Sequence, residues 1–298
     1  MTENCRWGLP GCAGSPTRGV VSGHASPNGL STDRTITRRE HIMLTTDYVP
    51  GAPNWIDLGS PDVEASAAFY GSLFGWSFQS AGPEAGGYGF FQLDGRTVAA
   101  AGPLVAEGAI PAWTVYFHTA DADATTKAVE QAGGTVRFAP DDVFTAGRMA
   151  GFTDPGGAEF AVWQPGETKG LDLVTVPGSL AWTELYVPDP DAVRPFYQSV
   201  FDWRVQELPF DGITYIVVSA AEGESADQGG LMPLQEGDRP HWLPYFEVPD
   251  CDTTVALAGT LGGTVLVPAV DVADVGRFAV ISDPNGARFA VITSAAAS

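Results

Sequence analysis

Trp55-Ile56-Asp57-Leu58-Gly59-Ser60-Pro61-Asp62, followed by Phe69-Tyr70 and Phe74-Gly75-Trp76, is written twice in this chain. A shift of 127 residues gives Trp182-Thr183-Glu184-Leu185-Tyr186-Val187-Pro188-Asp189, then Phe196-Tyr197 and Phe201-Asp202-Trp203, without a gap. Further out, Trp113, Tyr116, Phe117 and Asp121 return 129 residues later as Trp242, Tyr245, Phe246 and Asp250. Gly133-Gly134-Thr135-Val136 matches Gly262-Gly263-Thr264-Val265, and Asp154-Pro155-Gly156-Gly157 matches Asp283-Pro284-Asn285-Gly286. Solenoid repeats are shorter, so the period marks two duplicated domains. The two-residue drift places a loop-length difference between about 77 and 112 and their counterparts.

Local pattern gives the elements. Residues 53–59 read as a strand with Ile56 and Leu58 on one face and Trp55, Asp57 and Gly59 on the other. Asp62 is a good N-cap for a helix over 63–74, whose Phe69, Tyr70, Leu73 and Phe74 would cover the sheet before Gly75 ends it. Gly-rich and Asp-Gly turns then separate strands near 76–80, 87–93 and 96–102. The order repeats with a strand at 112–119, a helix at 122–132 and strands near 135–138, 146–152 and 158–163. Each domain is therefore two βαβββ units, and the chain divides into a disordered tail at 1–42, a first domain at 43–168, a linker at 169–180 and a second domain at 181–298. In the second domain Pro195 would remove a backbone bond from a helix begun at Asp189, so a start near Asp191 is expected.

Bulk composition agrees with two soluble domains. The chain has 298 residues, 44% hydrophobic and 17% charged, and no run approaches the ~18 apolar residues of a membrane span. Of 15 basic and 36 acidic side chains, residues 1–42 hold five and three, which leaves the remainder at 10 against 33, or −23. Such a surface repels nucleic acid and anionic lipid, so neither is an expected partner, and solubility in the cytoplasm is the simplest reason for the acidity. Cys5, Cys12 and Cys251 form neither a disulfide framework nor a metal-spaced pair. The tail has no apolar h-region of a secretory signal, and Met43 directly precedes the ordered-looking sequence.

The strand–Asp–helix–Phe-Tyr–Phe-Gly-Trp opening, the Gly-Gly after the second helix and the Asp-Pro-x-Gly hairpin resemble the vicinal oxygen chelate superfamily of glyoxalases, bleomycin-resistance proteins and extradiol dioxygenases, in its tandem glyoxalase-like form. The resemblance covers about 54–165 and 181–293. It implies an α+β fold in which each domain curls its two βαβββ units into an open mixed sheet, helices outside, with a ligand on the concave face. Family chemistry usually rests on a divalent metal. Carried over, its ligand positions fall on Trp55, Thr114 and Ala161 in the first domain and on Trp182, Leu243 and Ala290 in the second, side chains that make no metal site. No cofactor is expected.

Strand parity names the residues that face each cleft. In the first domain they are Trp55 and Asp57, then Thr114, Tyr116 and His118, then Glu159 and Trp163; in the second, Trp182 and Glu184, then Tyr245 and Glu247, then Arg288. Asp57 and Glu184 are carboxylates at matching places in apolar strands, where a raised pKa would suit a base; a structural hydrogen bond is the competing role. Trp55 and Trp182 are either stacking platforms for a planar ligand or plugs in the space a metal would fill. Trp76, Trp203, Trp113 and Trp242 read as packing, and Gly86-Gly87-Tyr88-Gly89 as a flexible hairpin at the cleft mouth. The expected protein binds a small organic molecule, an aromatic one among the candidates, or transforms it by metal-independent acid–base chemistry at Asp57 or Glu184. Alternatives are a metal-dependent lyase, epimerase or dioxygenase with unusual ligands drawn from Asp57, His118 and Glu159, and a degenerate pair that binds a protein. Two fused domains suit a monomer or a homodimer.

Overall fold

The computed structural model describes residues 44–295 except 107, 211–212 and 221–226. The expected tail at 1–42 and the start at Met43 lie outside the described residues. The first domain runs β1 (Pro53–Ser60), α1 (Val63–Phe74), β2 (Ser77–Ser80), β3 (Gly89–Leu93), β4 (Arg96–Pro103), β5 (Ala112–His118), α2 (Ala122–Gln131), β6 (Thr135–Val143), β7 (Gly147–Thr153) and β8 (Glu159–Pro165). The second runs β9 (Leu180–Val187), α3 (Pro190–Phe201), β10 (Arg204–Phe210), β11 (Ile213–Ser219), β12 (Asp227–Pro233), β13 (His241–Glu247), α4 (Cys251–Thr260), β14 (Thr264–Val272), β15 (Gly276–Ser282) and β16 (Arg288–Ser294).

Each domain is one open eight-stranded mixed sheet of the same order, β2-β3-β4-β1-β5-β8-β7-β6 and β10-β11-β12-β9-β13-β16-β15-β14. The duplicated strand sits near the middle, β1 parallel to β4 and antiparallel to β5, as β9 is to β12 and β13. Register shifts put bulges into β6 opposite β7, and this strand extends past the expected residue 138 to Val143. The drift in the repeat builds up after β3 and β11: Asp57 pairs with Ala100 but Glu184 with Gly230, three residues further along its copy, and one residue is recovered before Trp113 and Trp242. Asp94-Gly95 alone joins the first pair, whereas residues 220–226 join the second.

Helix caps follow the sequence. Asp62, Asp121, Asp189 and Asp250 each accept a backbone N–H from three residues on, and Gly75 closes α1 in the left-handed region at φ 75°. The expected start of α3 near Asp191 is corrected: Asp189 caps a helix that begins at Pro190 and carries Pro195 inside it. Pro190 suits the first turn, and the backbone bond lost at Pro195 is offset by burial of Val193, Phe196, Tyr197 and Phe201.

One core joins both domains, because the helix-bearing faces of the two sheets meet. Phe74 of α1 packs on Phe246 of β13, and Tyr70 on Phe289 of β16; reciprocally, Phe201 of α3 packs on Phe117 of β5, and Phe196 on Phe160 of β8. Two polar ties span the same boundary. Tyr70 Oη donates to Asp283 at 3.2 Å and Tyr197 Oη to Asp154 at 2.7 Å, and each hydroxyl accepts an indole N–H, from Trp113 and Trp242. The four tryptophans read as packing are here, with Trp76 and Trp203 donating to the carbonyls of Gly178 and Gly51. Residues 169–180 lie against this core, with Leu171, Leu173 and Val174 buried. A separate small cluster, including Leu243, Tyr245, Ala290 and Ile292, covers the concave face of the second sheet.

Candidate functional site

Register brings the cleft residues together on the concave face of the first sheet. Asp57 lies opposite Thr114, Trp55 opposite Tyr116, and Tyr116 beside Ala161, so the carboxylate, the hydroxyls and the indole share neighbouring rows. Tyr116 Oη donates to Asp57 Oδ2 at 2.9 Å and Tyr88 Oη donates to the same oxygen at 3.1 Å. Trp55 Nε1 donates to Tyr88 Oη at 3.1 Å, and its ring stacks on Trp163 at 6.4 Å with Phe90 edge-on at 6.1 Å. Tyr88 reaches in because its loop folds over β4, where Gly102 leaves room: a Cβ there would meet the Tyr88 ring at 2.8 Å.

The second sheet repeats this arrangement. Trp182 Nε1 donates to Tyr215 Oη at 3.0 Å, and Glu184 Oε2 accepts from Tyr245 at 2.6 Å and from Tyr186 at 2.5 Å. Tyr215 is also hydrogen-bonded to Glu184. Tyr186, which has Gly59 at its place in the first domain, lies flat against His241 at 5.1 Å.

Burial governs the electrostatics. Loss of water pushes the Asp57 carboxyl up to about 6, against the hydroxyls of Tyr116, Tyr88 and Thr114, which favour its charged form. Glu184 is raised by the same desolvation, opposed by Tyr186, Tyr245 and Tyr215. Burial beside a carboxylate holds the phenols of Tyr88, Tyr116, Tyr186, Tyr215 and Tyr245 well above their ordinary range, so all stay protonated donors. The Asp57 carboxylate is thus basic enough to take a proton near neutrality, Glu184 is shifted in the same direction, and both are clamped by neutral hydroxyls.

Four residues expected at the clefts lie apart from the carboxylates. His118 borders a cavity of about 390 Å³ with Tyr48, Val49, Pro165 and Lys169, its Nδ1 buried without a partner and its pKa lowered by burial. Glu159 pairs with Arg137 at 2.9 Å on the exposed end of β8, and Arg288 pairs with Asp238. Glu247 accepts from the backbone N–H and hydroxyl of Ser294, at 3.0 and 2.6 Å. Glu159, Arg288 and Glu247 each turn to a nearer partner, which parity alone does not register. Tyr88 and Tyr215 come from outside the strands whose parity names the clefts, and Tyr186, on the same face as Glu184, is missing from that set. A signal was present: Tyr88 and Tyr215 each stand 33 residues after the strand tryptophan, so the hairpin expected to be a flexible mouth delivers a conserved-in-repeat hydroxyl.

The metal that this architecture implies does not fit the residues present. The Trp55 and Trp182 indoles at ligand positions spend their N–H on a tyrosine, Ala161 and Ala290 offer methyl groups, and phenols take one oxygen of each neighbouring carboxylate. Among the described residues no three His, Cys, Asp or Glu side chains converge.

Tandem open sheets of paired βαβββ units, each with its concave face centred on the duplicated strand, define the class of fold. Residues 52–162 match the Glyoxalase/Bleomycin resistance protein/Dioxygenase superfamily and residues 182–292 match a Glyoxalase-like domain. DauV, an anthracycline biosynthesis protein of Streptomyces sp. (strain C5), is 44% identical over 262 residues, covering 83% of this chain and 94% of the relative. The chain belongs to that superfamily. Among solved structures, the Mn(II)-bound glyoxalase of Novosphingobium aromaticivorans aligns with TM-score 0.58 and 17% identity over 82% of this chain and 83% of that one. The 2,2',3-trihydroxybiphenyl 1,2-dioxygenase of Sphingomonas wittichii strain RW1 aligns with TM-score 0.60 and 15% identity over 83% and 91%. These likenesses concern the fold.

Proposed function

We propose that this protein binds a small, largely apolar organic molecule on a concave face, and that one carboxylate of the matched pair, Asp57 or Glu184, handles an acidic hydrogen of that molecule without a metal. The observation that carries this is the Asp57 carboxyl, set at about 6 beneath two phenols in an aromatic wall. A base works best with a pKa near the working pH, and this one keeps most of its charge at neutrality. In a turnover the carboxylate takes a proton from a carbon beside a ligand carbonyl. The C–H electron pair passes into that carbonyl as an enolate, and returning the proton at another atom gives an isomer. Where the ligand has no such carbon, the same groups simply hold it.

The relation to DauV supports a polycyclic aromatic ligand, since that relative belongs to anthracycline biosynthesis. The test is a thermal-shift titration of the whole chain with an anthracycline aglycone between pH 5 and 8. Stabilisation of the wild type, lost in the Asp57→Ala/Glu184→Ala double variant, is the expected outcome. A double variant that responds as the wild type does would sink the proposal.

A further inference from the structure

Resting on that reading, we infer that the two clefts have parted in role: the first domain alone takes the ligand, through a phenolic or enolic hydroxyl that donates to Asp57 Oδ1, and the second is closed by its own side chains. Three paired positions carry the argument. Asp57 corresponds to Glu184, Gly59 to Tyr186, and Thr114 to Leu243.

In the second domain every exchange closes the site. The longer Glu184 reaches three phenols, and Tyr186 fills the place above it with a ring laid against His241. Leu243 adds apolar bulk where the first domain has a hydroxyl. Glu184 is 6% exposed and Leu243 1%, so a ligand would have to displace a 2.5 Å hydrogen bond and a packed ring to reach the carboxylate.

In the first domain the same exchanges open it. Both phenols land on Oδ2, so Oδ1 accepts from neither, and the third donor at this carboxylate is the Thr114 hydroxyl, a rotor that can give up its bond to an incoming O–H. Asp57, Gly59 and Thr114 all remain half-buried rather than sealed. A carboxylate offers only acceptor sites, so the group that meets Oδ1 must donate, and an acidic O–H makes the stronger, charge-assisted bond. The indole of Trp55, stacked on Trp163, edged by Phe90 and itself buried, makes the floor behind this carboxylate apolar and aromatic.

The probe is 2-naphthol, with 2-methoxynaphthalene as the control that lacks the donor, titrated by fluorescence and calorimetry into the full chain. The expected result is one 2-naphthol site per chain, on the order of ten-fold weaker for the methyl ether, because a hydrogen bond to a charged group is lost. Asp57→Ala should weaken it by at least about ten-fold, and Glu184→Ala should leave it in place. Gly59→Tyr copies the closed domain: its new Cβ comes within 2.9 Å of the tip of Leu104 and within ordinary contact, 3.8 Å, of the Ala112 carbonyl oxygen, and the ring should block binding. Thr114→Leu, a milder copy of the same kind, keeps the test alive if Gly59→Tyr fails to fold. Two sites per chain, or a single site lost in Glu184→Ala and kept in Asp57→Ala, would overturn the division of roles while leaving the proposed function intact. No binding of either naphthalene to the wild type would overturn the aromatic-cleft reading as well.

Discussion

Four times a tryptophan N–H donates to a tyrosine hydroxyl that donates on to an enclosed carboxylate, and the two relays on the concave faces differ from the two between the sheets. At the domain boundary, Trp113–Tyr70–Asp283 and Trp242–Tyr197–Asp154 end on carboxylates that use both oxygens: Oδ2 takes the phenol and Oδ1 takes backbone N–H groups of the Asp-Pro turn. In the first cleft, Trp55–Tyr88–Asp57 ends on a carboxylate with both phenols crowded on one oxygen and no backbone donor in reach. The same three residue types thus make a structural clasp where backbone completes the shell, and the proposed proton-handling centre where the Thr114 hydroxyl stands in place of backbone. What distinguishes them is the second carboxylate oxygen.

That contrast can be broken most forcefully at Asp154. An amide has one acceptor oxygen and one donor nitrogen, so Asp154→Asn must turn an NH2 toward either Ala158 N–H or Tyr197 Oη. It should cost about 3 kcal/mol in denaturant unfolding through a buried unsatisfied donor. A loss under about 1 kcal/mol would show that the clasp is not built on two oxygens.

Asp57→Asn should go the other way, because one amide oxygen can serve both phenols. The sign follows from linkage: the folded pKa, about 6, lies above the ordinary 3.8, so the folded state binds the extra proton between those values. The contribution of Asp57 is therefore fully present below about pH 4 and is lost as pH rises through 6. By pH 8 ionising the buried carboxyl costs up to about 3 kcal/mol, and Asp57→Asn should raise Tm there, with the gain fading toward pH 4. A variant equally stabilised at both pH values would refute the assignment. The smallest effect belongs to Tyr116→Phe, about 1 kcal/mol in stability. Removing a donor that favours the charged form should move the Asp57 titration, followed by carboxyl NMR, above 6. An unmoved or lowered titration would mean Tyr116 does not set it.

Much of this architecture was legible in the chain because duplication doubles every weak signal. The Asp caps, the Gly75 stop and the alternation about Trp55, Asp57 and Gly59 each fix a local geometry, and each occurs with a counterpart. The pairing of helices with sheets was not legible. The apolar face of α1 says that Phe69, Tyr70 and Phe74 are buried, but nothing in periodicity says that they lie on β13 and β16 of the other domain. The site was half visible for a related reason. Parity placed Asp57, Thr114, Tyr116, Trp55 and Trp163 on one face, yet Tyr88 arrives from a glycine-rich loop, where conformation follows from tertiary packing rather than from a period. Pro195 shows the opposite limit, a correct local rule outweighed by the aromatic residues on either side of it.

The crossed helices make each half the missing layer of the other. A gene cut within residues 169–180 would yield two fragments, each with an unclad ring surface where Phe246 and Phe289, or Phe117 and Phe160, now meet a foreign helix. Co-expression of the pieces should rescue solubility that neither has by itself. The ancestral single domain would have needed a second copy of itself for the same shelter, and joining the two in one chain freed one cleft to change without losing the partner.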